Sequence, residues 1–438
     1  MKVLIVNSGG LSDQYGGGQV YVRNLVNEMT NQNIHIDILA ASVIPEENNQ
    51  VSLVRLNTFE IREYRIFSNP VSNNHSLTIS RIRQFLRDIN PQIVHAHALK
   101  AEVSEACMRE KIPCIVTAHH GGIVCPKGSL LNQYDEICSI KMSQSGCLPC
   151  LLNNIRLGTQ FYPFYRILPE VLRSALSRMV IHLPFIPFLT PWLSSPLLIN
   201  KKIKEWNLIS RSSSAVIAPS AGIADAMKRN EIPQQKIHIL PHGIPLASKQ
   251  PISKDITYRP INFFYLGRIN YVKGLHHLLK AFSNLTKNAE LHIIGEAITK
   301  DEKRYKAKVK NRFDSKRITW HGNISSSHVF ERICQYDVMI HPAIFLEVFG
   351  LTIAESLSSG RPVIATRCGG PEMQIEDGVN GFLVPANDAD ALRERMQYLA
   401  DNPEEITRLA GNIRQPTSIR QHVNDLLEIY NNIISTKI

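Results

Sequence analysis

The sequence predicts an α/β protein of two doubly wound parallel-sheet domains. Three observations carry that expectation. The chain has 438 residues, too many for one core of ordinary size. Short apolar runs alternate with helix-length segments, the rhythm of a parallel sheet covered on both faces. That rhythm stops near PHGIP, at 241–245, and then restarts.

The first domain is expected over 1–246. KVLIVN opens it as a buried strand, followed by a Gly-rich loop at 16–18 and a helix near 20–29. HIDILA, QIVHAH, CIVTAHH and AVIAPS follow as further strands. Two stretches interrupt it: a cysteine- and glycine-rich loop at 121–150 and an apolar, basic insert at 151–208. The insert holds seven Lys/Arg against two acids, a local charge of +5. A polar stretch at 247–260, ASKQPISKDITYRP, reads as the interdomain linker. The second domain is expected over 261–415, with strands in INFFYLG, ELHIIG, RITWHG, DVMIHPA and PVIATRCGG. Helical spacing of Ile419, Val423, Leu426, Leu427 and Tyr430 predicts a last helix within 416–438, crossing back to the first domain.

Composition narrows the partners. Hydrophobic residues make up 44% and charged residues 20%, so the chain can bury large cores. A net charge of +11, with pI near 9.2, suits a phosphate-bearing ligand, an anionic membrane surface or nucleic acid. Aromatics are only 7% and no basic run is interleaved with them, which argues against nucleic acid. The apolar run in MKVLIVNSGG is too short for a signal peptide. The longest uncharged stretch, 179–199, contains Pro184, Pro187, Pro191 and Pro196, which argue against a spanning helix. A cytoplasmic location is expected, so the eight cysteines read as free or metal-bound.

The chemistry concentrates in the second domain. FLEVFGLTIAESLSSG, at 345–360, places Glu347 before a helix start at Gly350 and Leu351, and Glu355 inside the helix. Helix-start N–H groups attract an anion, and carboxylates on both sides of a phosphate suit a ligand with hydroxyls on both sides. A nucleotide-sugar has that shape. GRINYVKG, at 267–274, adds Arg268 and Lys273, a guanidinium and an ammonium able to neutralise a diphosphate. The bland readings are a buried structural acid, a loop acid and ordinary surface charge. Asp388 and Asp390 form a D-x-D, but they stand before a helix and read as its cap rather than a metal site.

Together these motifs resemble the retaining glycosyltransferases of family 4, which have the GT-B fold: two Rossmann-like domains facing a central cleft. The matching residues are Gly267, Arg268, Lys273 and Gly274; Glu347, Gly350 and Glu355; SSGRPVIAT; Gly369, Gly370 and Glu372; and EDGVNGFLV. GGGQ, VHAH, TAHH and APS with KIHILPHG continue the likeness in the first domain. The resemblance implies that Arg268 and Lys273 bind the donor diphosphate. It places Glu347 on donor-sugar hydroxyls, Glu355 on the ribose, and Val348, Phe349 and Leu351 in the same donor loop. Gly17 and Gly18 would lie near the phosphates, where a plain strand-to-helix turn is the alternative. It also implies metal-independent transfer, with His119 near the reaction centre. His120 stands where the family has an acid.

The acceptor side is less determined. Cys125, Cys138, Cys147 and Cys150 have the spacing C-x12-C-x8-C-x2-C, and GCLPC looks like a metal knuckle. A structural zinc is one expectation; unpaired thiols are the other. The basic apolar insert is either packed helices cornered by proline or a face for the anionic inner leaflet. The sequence therefore leads to a hexose moved from a UDP- or GDP-sugar to a glycan or lipid-linked glycan. A nucleotide-sugar epimerase, a sucrose-type synthase and an inactive scaffold are the rivals.

Overall fold

A computed structural model of the chain describes residues 1–11, 16–42, 51–56, 59–67, 75–153, 158–180, 190–252, 254–286 and 289–436. The chain divides into two compact units. One holds Met1–Tyr134, Cys138–Pro241 and Arg420–Ile438; the other holds Asp135–Ile137 and His242–Ile419.

The strands of the first unit are β1 (Lys2–Ser8), β2 (His35–Ser42), β3 (Val51–Leu56), β4 (Phe59–Phe67), β5 (Ile93–Ala96), β6 (Cys114–Thr117), β7 (Ala215–Ala218) and β8 (Ile237–Ile239). They form one sheet in the order β3-β4-β2-β1-β5-β6-β7-β8. Val3, Leu4, Ile5 and Val6 of β1 are fully buried, because a central parallel strand is covered on both faces. The expectation of a wholly parallel sheet is corrected at one edge, where β3 runs antiparallel to β4. Only two residues separate these strands, and a parallel pair needs a crossover of a dozen or more.

The 151–208 segment folds into helices at Gly158–Ile167, Glu170–Val180 and Thr190–Ser212. Pro163 and Pro196 lie inside helices rather than at corners. Leu148, Leu152, Tyr165 and Ile199 form a small core there. Among the described residues, no helix is long and apolar enough to cross a membrane. The helix Ile419–Ser435 joins the first unit from Arg420 onward. Its His422 Nε2 lies 2.7 Å from Tyr21 Oη, and its Tyr430 Oη lies 2.5 Å from His95 Nδ1.

The second unit contains β9 (Ile261–Leu266), β10 (Ala289–Ile294), β11 (Ile318–Gly322), β12 (Val338–His341), β13 (Val363–Thr366) and β14 (Gly381–Val384). Every neighbouring pair is parallel, in the order β11-β10-β9-β12-β13-β14. Successive residues of β9 feed two cores, as the two-residue period of a strand requires. Ile261, Phe263 and Tyr265 pack on one face; Phe264 and Leu266 pack on the other. Each large side chain buried this way contributes roughly 1.5–3 kcal/mol.

The order reverses between β9 and β12 in the second sheet, and between β1 and β5 in the first. In such sheets a crevice opens beyond the carboxyl ends of the strands where the order reverses, and ligands bind there.

Candidate active site

In the second unit, the loops after β9 and β12 converge at the switch point. Gly267 and Gly274 bound the first loop. Gly274 sits at φ +71°, and a Cβ there would lie 1.8 Å from the Pro342 carbonyl oxygen, so the two loops touch through a position only glycine fills. Asn270 Oδ1 accepts from the Lys273 N–H at 3.1 Å and fixes the turn that carries the lysine.

Lys273 Nζ donates to Glu347 Oε2 at 2.6 Å, and His341 Nε2 lies 3.2 Å from the same oxygen. The Glu347 backbone is pinned as well: its N–H donates to Cys368 O at 2.8 Å, and its carbonyl accepts from Gly370 N–H at 2.9 Å. Burial would raise the Glu347 carboxyl, but the Lys273 charge and the His341 contact outweigh it and hold it at about 2. Lys273 Nζ also lies 4.9 Å from the centre of the Phe345 ring. Arg268 points elsewhere: its Nε donates to Glu302 Oε1 at 2.7 Å, and Glu302 completes the capping box of the helix Lys300–Arg312.

The loop ends at Gly350, φ +85°, which starts the helix Leu351–Ser358 without any side-chain cap. Its first-turn N–H groups are therefore available to an anion. Val348 and Phe349 are buried behind the loop. Gln374 Nε2 donates to the Phe349 and Gly350 carbonyls. Glu355 lies one turn into the helix, and burial pushes its carboxyl up to about 8. Glu372 Oε2 accepts from the N–H groups of Cys368 (3.1 Å) and Gly369 (2.8 Å). Asp388 caps the helix Ala389–Asp401 by accepting from the N–H groups of Asp390 and Ala391.

In the first unit, the helix Gly17–Asn31 starts after Gly16 with no side-chain cap. A Cβ on Gly18 would lie 3.6 Å from His119 Cγ, so the Gly-rich turn lies against that histidine. His119 Nε2 is 2.7 Å from His97 Nδ1, and the two rings stack at 4.9 Å. His95 is fully buried between Thr117 Oγ1 (2.6 Å) and Tyr430, and burial lowers it to about 3, so it stays neutral. His120 Nδ1 accepts from Gly122 N–H at 3.0 Å and caps a short helical turn; burial lowers it to about 4.

The structure thus brings Lys273 to Glu347, and Gly18 to His119, while Arg268 is turned to Glu302. His341 escaped the sequence reading. It ends β12 as the histidines of TAHH follow β6, and that strand-end position was its only signal.

The zinc expectation is corrected. GCLPC is not a knuckle: Cys147 and Cys150 lie on the helix Gln144–Leu152, which Ser143 caps by accepting from Gly146 N–H at 3.1 Å. Burial pushes the Cys147 thiol up to about 12 and raises that of Cys150. Cys125 and Cys138 are also free thiols. Among the described residues, no group of three or more His, Cys, Asp or Glu side chains is arranged to hold a metal ion.

Two family models match the chain: Glycosyltransferase Family 4 over residues 15–139 and Glycosyl transferases group 1 over residues 249–415. Sucrose synthase of Acidithiobacillus caldus is 35% identical over 146 residues, 30% of this chain and 18% of that protein. O-antigen chain mannosyltransferase C of Escherichia coli is 26% identical over 231 residues, 51% of this chain and 61% of that protein. The chain therefore matches less than two thirds of either relative's length. The fold is shared with Anabaena HepE, solved with UDP and glucose, at 16% identity and TM-score 0.67, covering 99% of this chain and 100% of that one.

Proposed function

Because the chain belongs to the family 4 glycosyltransferases of the GT-B type, we propose that it moves a hexose, with retention, from a UDP- or GDP-sugar to a glycan acceptor. The Lys273, Glu347 and His341 cluster beside an uncapped helix start carries this reading. A diphosphate entering there takes the Lys273 ammonium and the N–H groups of Gly350 and Leu351. Arg268 swings from Glu302 to the second phosphate. Glu347, freed from the lysine, accepts from the donor-sugar hydroxyls, and Glu355 takes the ribose.

The step balances without a protein nucleophile. The bond from the anomeric carbon to phosphate oxygen breaks, and its electron pair leaves with the nucleotide. The acceptor oxygen bonds the same carbon on the same face, and its proton passes to the departing phosphate. Arg268, Lys273 and the helix start stabilise the growing charge, so the transfer needs no metal. His119, braced by His97, is proposed as a residue near the reacting centre.

The acceptor is proposed to be lipid-linked. The Glu170–Val180 helix and the residues before it leave Ile167, Val171 and Met179 at 80%, 79% and 66% exposure, beside exposed Arg166 and Arg178. An apolar face rimmed by arginine suits an anionic inner leaflet. Co-sedimentation with phosphatidylglycerol vesicles, lost in an Ile167→Glu, Val171→Glu protein, is the check.

The donor test is a thermal-shift panel with UDP, GDP, ADP and their sugar conjugates. One nucleotide family should raise the melting temperature of wild type and fail with Glu355→Ala. No shift with any nucleotide would refute the donor site. Turnover of a nucleotide-sugar without acceptor would favour the epimerase.

A further inference from the structure

Glu347 has two partners, and only one of them is free to leave. Lys273 Nζ and His341 Nε2 both bond Oε2, at 2.6 Å and 3.2 Å, and among the described residues no hydrogen bond falls on Oε1. An ionised carboxylate only accepts, so His341 Nε2 carries the hydrogen. Lys273 ends the short turn Tyr271–Lys273, on a long flexible stem, and its side chain is 23% exposed. His341 ends β12, which lies between β9 and β13, and stands opposite Ala365 of β13. Its side chain is 4% exposed. An anion entering from solvent draws the lysine out, and the imidazole, fixed on a central strand, cannot follow.

The consequence is electrostatic. With Lys273 in place, Glu347 has a full counter-charge, and a neutral donor at His341 suffices. Burial lowers His341 below the ordinary histidine range; the Glu347 contact opposes burial, and the Lys273 charge adds to it, so the imidazole is neutral. Withdrawing Lys273 removes one of the two influences against the proton. It also leaves a buried carboxylate without a counter-charge, which is costly, and a proton on His341 restores one. The other groups near Glu347 cannot serve. Cys368, pushed up to about 12, and Tyr265, raised well above its ordinary value, are neutral near pH 7, and Glu355 is itself an acid.

We propose that His341 is the positioning residue for Glu347 in the donor-bound state. It takes up a proton from solvent as the diphosphate draws Lys273 away, and it holds Oε2 so that Oε1 meets the donor-sugar hydroxyls. The inference rests on the donor reading above, because a diphosphate is what moves Lys273. The imidazole gains its proton in the bound state. The affinity this adds is therefore complete at pH below the free-state titration and is lost as pH rises through the bound-state one.

Calorimetric titration of UDP and of GDP at pH 7, in PIPES and in imidazole, tests it. The two buffers differ in ionisation heat, so the pair of titrations counts the protons taken up per nucleotide bound. Comparison with His341→Gln cancels any proton exchanged by the nucleotide or by Glu355, because glutamine keeps an N–H for Glu347 and does not titrate. Wild type should take up about a third of a proton or more beyond His341→Gln. Glu347→Gln, which removes the anion, should lose the same uptake although the imidazole remains. Equal counts in wild type and His341→Gln overturn the inference and leave the donor site standing, as does an undiminished count in Glu347→Gln. Absence of binding by either nucleotide overturns the donor reading, and this inference with it. Thermal melting shows that each variant is folded, and the two variants break one hydrogen bond from opposite ends, so either serves as the reference.

Discussion

Replacing Lys273 with methionine keeps the side-chain stem and removes only the charge facing Glu347. The carboxyl is held at about 2 against an ordinary 4.5. A displacement of about 2.5 pH units, at about 1.36 kcal/mol each, amounts to roughly 3 kcal/mol of stability at neutral pH. The sign follows from a depressed acid: the stabilisation is complete above 4.5 and is lost as pH falls through 2. Glu347 and Lys273 side chains are 11% and 23% exposed, so solvent screens the pair little. Lys273→Met should therefore lower the melting point of the second unit by about 6–12 °C at pH 7. At pH 3 only about 1 kcal/mol of the wild-type stabilisation survives, so the gap between the proteins should narrow. Adding Glu347→Gln should recover more than half of the loss, because no buried charge is left without a partner. Differential scanning calorimetry at both pH values reads all three. A drop under about 2 °C at pH 7, or an equal drop at pH 3, would refute the argument.

Two further outcomes are expected. Burial raises Glu355 to about 8, so the folded protein keeps a proton that the unfolded chain releases between 4.5 and 8. Stability should fall as pH rises through that window. Urea unfolding should show Glu355→Gln flattening the fall by about 2–4 kcal/mol; parallel profiles would count against it. Gly274 and Gly378 share nearly the same φ, +71° and +76°, but a Cβ on Gly378 meets nothing within 4 Å, whereas on Gly274 it meets Pro342 O. Gly378→Ala should cost about 1–2 kcal/mol and Gly274→Ala about 3 kcal/mol or more; equal costs would mean that backbone strain, not crowding, governs both.

The parallel strands were legible because burial on both faces writes itself as an apolar run; KVLIVN and INFFYL could hardly be anything else. β3 and β4 were not, since VSLVRL and FEIREYRIF mix charge into an edge that one neighbour covers. Lys273 and Glu347 were legible as motifs, but their mutual contact was not, because 74 residues separate them. The Arg268–Glu302 pair was not legible either, because Glu302 lies in a charged helix with nothing to single it out. GCLPC misled because two cysteines three apart suit a knuckle and a helical turn equally well, and only the Ser143 cap decides.

The last helix has a consequence for how the protein is made. Tyr21 and His95 take their buried partners from His422 and Tyr430, 401 and 335 positions downstream. The second unit draws on a continuous run of 178 residues from His242 to Ile419, with three more residues at Asp135–Ile137. During synthesis the first sheet emerges early yet lacks these two contacts until Tyr430 leaves the ribosome. The unit translated later can close sooner. A chain stopped a few residues short of Tyr430 would thus present a finished second unit attached to an unfinished first one, a natural target for chaperone or protease.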